Sequence, residues 1–277
     1  MRIDQLNSIG GNSMVKGLYT GFTGMLNEQY RMDIMSNNLA NADTVGFKKE
    51  GSTSQAYSEI MAVKIKDLSE HPNVPQELGG VSLGVKIGET YTDFEQGSLK
   101  VTDNTFDLAL AGDGFFTIEF TNKAGETSTK YTRSGEFTLT QEGYLVTKDG
   151  DFVLGTDNNG NMSRIQLNPN AGNTKINRDG SIYQDGVKRA QLQLTDFTDY
   201  NYLTHYGETM WDAVEGAETQ PVNGLDVYQG YLEMSNIQVV KEMVNMITIQ
   251  RQYEANQKVV TTYDDSLQIA ANQLGKV

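Results

Sequence analysis

The stretch SNIQVVKEMVNMITIQRQYEANQKVVTTYDDSLQIAANQL, residues Ser235–Leu274, contains neither glycine nor proline and decides how the rest of the chain is organised. It opens on Ser235 followed three residues later by Gln238, the spacing of a capping box, with Met234 and Val239 placed to close a hydrophobic staple. Val239, Met246, Tyr253, Val260, Leu267 and Leu274 then recur every seven residues. Such a repeat keeps one apolar seam toward a partner as two helices supercoil. At 1.5 Å per residue the helix is about 58 Å long, more than a small globular core covers. It requires a partner.

That partner is expected at the other end of the chain. Leu18, Met25, Met32 and Leu39 share the seven-residue spacing, and Phe22 and Met35 widen their stripe. The terminal segments therefore read as long helices that pair with each other in coiled-coil fashion, the middle of the chain being inserted at one end of the pair. Two amphipathic helices packed on a globular body would give the same pattern. Ile237–Ile249, which includes Met243, is Ile, Val or Met at eight of thirteen positions, spread around most of the circumference. A helix apolar on nearly every side is buried on nearly every side. One partner helix does not supply that cover, whereas neighbouring copies in a helical array do.

Gly17, Gly21 and Gly24 interrupt the N-terminal pattern, each unfavourable by up to about 1 kcal/mol inside a helix. Spaced by four and three, they read either as a face open to another backbone or as a loose first turn. From Met25 to Thr44 the pattern is uninterrupted, and Gly46 is placed for the left-handed residue past a helix end. Asn37, Asn38 and Asn41 bring uncharged donors and acceptors beside Leu39 and Ala40. Such groups suit an interface shared by several helices, where charge is costly to bury; solvated polar residues are the plainer reading.

Thirty-six acidic against 22 basic residues give a net charge of −14, which repels nucleic acid and anionic membranes. No apolar run reaches the roughly 18 residues of a membrane span. There is no cysteine, hence no disulfide and no thiolate metal site. Residues 1–13 lack the apolar region of a secretory signal peptide, and Met14 resembles a second start.

Residues 51–90 are weakly periodic. Pro72 and Pro75 exclude a helix around them, and a strand is expected within Val81–Thr92. From 91 to 230, turn dipeptides at Glu142-Gly143, Asp149-Gly150, Asn159-Gly160, Asp179-Gly180 and Asp185-Gly186 separate short β-type runs such as Phe115–Phe120, Glu136–Thr140, Tyr144–Thr147 and Ala190–Phe197. This spacing predicts an antiparallel β domain. Its expected core holds Phe106, Leu108, Phe115, Ile118, Phe137, Leu145, Val153, Leu192 and Leu194. Trp211, Tyr200, Tyr202 and Tyr206 are read as core or lateral packing, with an exposed contact patch as the alternative. The predicted class is α+β, with a helical segment 1–50, a connector 51–90, a β domain 91–230 and a long helix within 231–277.

Constellations that carry chemistry are scarce. His71 and His205 are the only histidines, and neither a Gly-x-Ser-x-Gly elbow, a dinucleotide fingerprint nor a P-loop is present. Asp149, Asp151 and the run Asp157–Asn161 look superficially like calcium loops. Met162 stands where such a loop needs its glycine, and Asn/Asp/Gly is ordinary turn composition. Asp103 and Asp107 are of the residue type that serves as a carboxylate pair in glycoside hydrolysis, and solvated acids of a −14 chain are the plainer reading. No catalytic residue, metal or cofactor is expected.

Five segments carry a family resemblance, in order along the chain. They are Gly17-Leu18-Tyr19 with Asn37–Lys48, Asp107–Phe116, Tyr131-Thr132-Arg133-Ser134-Gly135, Gly230–Asn236, and Gln250–Asn256. Together they resemble the rod and hook axial proteins of the bacterial flagellum. Departures are small: that family more often begins near Met14, and Ala42-Asp43 replaces a commoner Val-Asn. The resemblance implies a structural subunit of the basal-body rod that self-assembles through its terminal helices into a torque-transmitting tube. Implied partners are copies of the chain, other rod and hook proteins, and the flagellar type III export apparatus, entered without a cleaved signal. The expected subunit interface is Leu18, Phe22, Met25, Met32, Met35, Asn38, Leu39 and Asn41 with Val239, Met243, Met246, Ile249, Tyr253, Val260, Leu267 and Leu274. On pattern alone, a coiled-coil-anchored β-domain adhesin or a phage-tail-like binding module is the competing reading.

Overall fold

A computed structural model describes residues 4–57, 60–64, 76–82, 84–123, 125–156, 162–220, 222 and 224–274, with backbone alone for 4–16, 60–64, 76–81 and 274. The chain is α+β, with a helix toward each end and a large antiparallel β body between them. It divides into two compact units. The first comprises Met1–Leu39, Glu50–Tyr91 and Val239–Val277, and the second Ala40–Lys49 and Thr92–Gln238. The second unit thus takes in segments on both sides of the 91–230 range expected for the β domain.

In the first unit, helix α1 spans Asp4–Ala40 and helix α2 spans Val239–Leu274. Helix α1 runs through Gly17, Gly21 and Gly24 without a break. A Cβ on Gly21 would lie 3.0 Å from Val260 Cγ2, one on Gly24 would lie 2.8 Å from Asn256 Nδ2, and one on Gly17 would meet the Tyr263 ring. The glycines therefore mark close approach to α2, which runs antiparallel to α1 there. Buried or half-buried positions follow one line on each helix at alternating spacings of four and three. On α1 the line is Gly17, Gly21, Gly24, Glu28, Arg31, Met35 and Asn38; on α2 it is Glu242, Met246, Ile249, Tyr253, Asn256, Val260 and Tyr263. Strands Lys49–Ala56 and Val85–Asp93 form one two-stranded sheet, and Ile60–Lys64 and Gln76–Val81 form another. Asn27 and Ser54 exchange side-chain hydrogen bonds between α1 and the first of these strands.

Both helix ends differ from expectation. Helix α2 starts at Val239, so Ser235 does not cap it. The Ser235 hydroxyl is buried with no hydrogen-bond partner among the described residues, while the Asn236 amide accepts from the Lys49 N–H and donates to the Asp93 and Glu95 carbonyls. Those contacts hold the preceding backbone in an irregular path, and the capping box does not form. Helix α1 stops at Ala40 instead of Thr44, because Thr44 turns back to donate its N–H to the Asn41 carbonyl at 3.2 Å. Gly46 lies in the turn beyond and does adopt a left-handed φ of 71°.

The main sheet of the second unit orders its strands Thr174–Ile176, Ser181–Gln184, Val187–Leu192, Phe152–Thr156, Phe115–Thr121, Thr127–Thr132, Met210–Ala213 and Leu203–Tyr206, all pairings antiparallel. Gln184 pairs with Val187 across Asp185 and Gly186, whose φ values of 51° and 82° are those a two-residue hairpin of the right twist requires. Leu108, Ile118, Phe137, Leu145, Val153 and Leu192 form the main core, with Phe106 and Leu194 packed against it. Phe115 belongs to a second cluster with Phe197 and Trp211, flanked by Phe94 and Tyr200. Trp211 and Tyr200 are thus packed inside, whereas Tyr202 and Tyr206 are exposed. The Asn159-Gly160 turn, the Asp157–Asn161 run, His71, Pro72 and Pro75 lie outside the described residues.

Candidate functional site

Two features stand apart from ordinary packing: the outer faces of the terminal helices, and an ion cluster sealed inside the second unit. On α1, Tyr19, Phe22, Leu26 and Tyr30 are exposed; on α2, Val239, Val240, Met243, Val244, Ile247, Val259, Leu267 and Ile269 are exposed. Val240 shows 77% of its surface and Tyr19 58%. Isolated exposed apolar side chains are normal on a protein surface; contiguous stripes of them mark contact sites.

The sequence-derived interface residues are distributed unevenly over this surface. Phe22, Val239, Met243 and Leu267 are exposed, while Leu18, Met25, Met32, Met35, Leu39, Asn41, Met246, Tyr253 and Val260 are half-buried. Ile249 is 2% exposed and Asn38 is fully buried, both within the single chain. The Asn38 amide donates to the Glu50 carbonyl at 2.8 Å and accepts from the Glu50 N–H at 3.0 Å. It stands in for a neighbouring strand, so its polar atoms are used inside the molecule and not toward another helix. Leu274 lies in α2 with its backbone alone described.

Inside the second unit, Lys48, Arg133 and Glu233 meet with their side chains excluded from solvent. The Lys48 ammonium donates to Glu233 Oε1 at 2.7 Å and to the Glu95 carbonyl at 2.8 Å. Arg133 Nη1 donates to Glu233 Oε2 at 3.3 Å, and the Gly97 N–H donates to Glu233 Oε1 at 3.0 Å. The Arg133 guanidinium also sits 5.4 Å from the centre of the Phe115 ring. Burial pushes the Lys48 ammonium below the ordinary lysine value, against the pull of Glu233. Two cations on one carboxylate leave a net positive charge in a low-dielectric interior, an arrangement tolerated only with complete hydrogen bonding to the acid. Gly46 reinforces the joint. Its N–H donates to the Glu233 carbonyl at 2.8 Å, and a Cβ there would collide with the backbone of Arg133 and Ser134. Sequence reading places each of these residues in a separate motif and does not connect them. The one signal was that Arg133 and Glu233 are each the single charged residue of their motif, whereas Lys48, beside Lys49 and Glu50, gave none.

A cavity of about 450 Å³ opens on the second unit, lined by Asp43, Glu136, Asp149, Asp151 and Glu208 with Lys148. No group of acidic or histidine side chains among the described residues is arranged to hold a metal ion. His205 is exposed on its edge strand, with its ring nitrogen at the Glu208 carbonyl. Among the described residues no helix is long and apolar enough to cross a membrane.

Three family models match the chain in order. Residues 18–48 match the flagella basal body rod protein model, 109–184 the flagellar hook protein FlgE/F/G D1 domain, and 228–274 the flagellar basal body rod FlgEFG protein C-terminal model. The three members of the ion cluster fall in or beside these regions: Lys48 in the first, Glu233 in the third, and Arg133 in the second. The chain is 33% identical over 270 residues to the flagellar basal-body rod protein FlgG of Buchnera aphidicola subsp. Schizaphis graminum, covering 92% of this chain and 98% of that protein. It is 35% identical over 277 residues to FlgG of Caulobacter vibrioides, covering 94% and 99%. The flagellar basal-body rod protein FlgF of Caulobacter vibrioides is 31% identical over 266 residues, covering 95% and 100%. These relatives are matched along almost their whole length, by a chain whose two ends and β body fold as described above. The chain belongs to the family of flagellar basal-body rod proteins, structural components of the bacterial flagellum.

Proposed function

We propose that the chain is a rod subunit that polymerises through its terminal helices into a helical tube able to transmit torque. In this reading α1 and α2 of one copy pair as a short coiled coil, and neighbouring copies cover the faces left open. The β body forms the outer layer of the tube. Partners are further copies and other rod and hook proteins. Delivery is through the flagellar type III export apparatus as an unfolded chain, without a cleaved signal. The interface comprises the expected residues on the two helices, less Asn38 and Ile249, which are consumed within one chain, and less Met35, Met246, Tyr253 and Val260, which lie on the line turned to the other helix of the same chain.

The observation that carries this is the set of exposed apolar side chains on α1 and α2, of which Tyr19, Phe22, Leu26 and Tyr30 and, on α2, Val240, Val244, Ile247 and Ile269 lie on faces turned away from the other helix. Covering each half-exposed Val, Ile, Leu, Met or Phe is worth about 1 kcal/mol, so one contact is weak and many together are strong. That is the energetics of a subunit soluble alone and stable once stacked.

Sedimentation of the purified chain over a concentration series, followed by electron microscopy, tests the reading. Monomer at low concentration and rods at high concentration are expected. A discrete dimer or trimer that grows no further favours the closed adhesin-like module instead.

A further inference from the structure

We infer that residues 225–236 form a strap that closes the β body last and opens first. The loop 45–49 and the segment 95–111 open with it as one unit, while the main sheet stays folded. This goes beyond the assembly reading and does not depend on it.

The strap is tied down by two short ladders. Asp226–Gln229 pairs antiparallel with Leu108–Ala111, and Tyr231–Glu233 with Leu99–Val101. Each is an isolated two-stranded pairing outside the main sheet, and two-stranded pairings are the least stable kind. Between them the Gly230 N–H donates to the Asp107 carbonyl at 2.8 Å, and the Gly230 carbonyl accepts from the Thr102 N–H at 2.9 Å. Leu108, Ala109 and Leu110 are wholly buried. Leu108 donates its N–H to the Gly135 carbonyl and the Leu110 carbonyl accepts from the Gln96 amide, so the Ala109 backbone between them depends on the strap. Lifting the strap leaves it unpaired in an apolar interior, and the segment cannot stay packed.

Charge ties the loop after α1 to the same event. Glu233 is the carboxylate set against buried Lys48 and Arg133. With the strap lifted, two cations share a low-dielectric interior with no anion, and the loop bearing Lys48 is driven out to water. The Gly46 N–H loses its acceptor, the Glu233 carbonyl, in the same step.

The main sheet has no such dependence, since none of its ladders includes the strap. The strap meets it at one edge. There the Gln229 amide accepts from the Ile176 N–H and donates to the Thr174 carbonyl, both at 3.1 Å, standing in for a further strand. Leu225 and Val227 also cover part of its core. During synthesis the strap follows both segments that it locks, Lys48 preceding Glu233 by 185 residues. A chain that has not yet closed the strap therefore has a folded sheet and a free loop after α1.

Native-state hydrogen exchange of the full-length chain, followed by mass spectrometry at rising low concentrations of denaturant, tests this. Residues 45–49, 95–111 and 226–236 are expected to share one opening equilibrium, reached at lower denaturant than that of Phe115–Thr121 and Phe152–Thr156. Gly97→Ala, whose Cβ would collide with the Met234 carbonyl, is expected to raise that shared opening about tenfold or more. Val153→Ala, in the core of the main sheet, is expected to raise exchange of the sheet by about tenfold and leave the shared opening unchanged. Independent exchange of the three segments, their opening only together with the main sheet, or an equal response of all regions to Val153→Ala overturns the strap. The last two measurements on the unmodified chain and Val153→Ala decide the matter even if Gly97→Ala does not fold.

Discussion

The Lys48 ammonium and the Glu233 carboxylate lie 2.7 Å apart, both sealed from solvent and 185 residues apart in sequence. This pair ties the loop after α1 to the strand before α2, and Arg133 closes it from the main sheet. The segment following the first helix is therefore folded as part of the β body.

Unequal effects are expected from removing the members of this cluster. Glu233→Gln leaves two buried cations without an anion and lowers stability by about 3–5 kcal/mol. Lys48→Met leaves a balanced Arg133–Glu233 pair and has a clearly smaller effect. Chemical denaturation of the two variants measures the difference; equal losses would contradict the charge argument.

The extent of the β body sets a second expectation. A fragment spanning residues 40–238 keeps the whole cluster and folds cooperatively, with β-type circular dichroism. A fragment spanning 51–230 lacks Lys48 and Glu233, leaves the Arg133 guanidinium buried alone, and has a markedly lower thermal midpoint. Equal midpoints for the two fragments would show that the cluster contributes nothing.

Acid dependence follows from Glu119, which accepts two hydrogen bonds from the Arg164 guanidinium, at 2.7 and 2.9 Å. The bond from Arg164 holds the Glu119 carboxyl below its ordinary value of 4.5. A depressed carboxyl contributes stability that is present above the unfolded value and lost as pH falls through the folded one. The pair is partly exposed, so its worth is about 0.5–1 kcal/mol. Glu119→Gln, which leaves the Arg164 guanidinium over the Phe152 ring at 4.2 Å, is expected to lose that amount at neutral pH and nothing once the solution is acid enough to protonate Glu119 in the unmodified protein. Denaturation midpoints across an acid series provide the check.

The helix pair sets a fourth expectation. Val260→Asp puts a charge where Gly21 and Val260 meet, and Gly21→Leu forces the two backbones apart. Both are expected to abolish incorporation into the flagellum and swimming while the thermal transition of the β body is unchanged. Normal swimming by either variant would count against assembly through these helices.

The sequence by itself determined the helices at both ends, the β body between them and the family. Those signals are local: an unbroken seven-residue repeat, Asp-Gly and Glu-Gly turns, and motifs read in order. It also placed Gly17, Gly21 and Gly24 on one face. The apolar repeat found only the flank of the α1 seam, and on α2 it found Met246, Tyr253 and Val260 of the seam itself. The line that faces the partner carries Gly24, Glu28, Arg31 and Asn38 on α1 and Glu242 and Asn256 on α2, which no hydrophobic pattern detects. Tertiary structure alone decided where α2 starts, because the Asn236 amide is drawn to backbone brought from distant parts of the chain and overrides the local cap. Only tertiary structure, too, brought Lys48, Arg133 and Glu233 together. A buried ion cluster depends on which segments exclude water around it, and that follows from packing across the whole fold and not from any neighbouring residue.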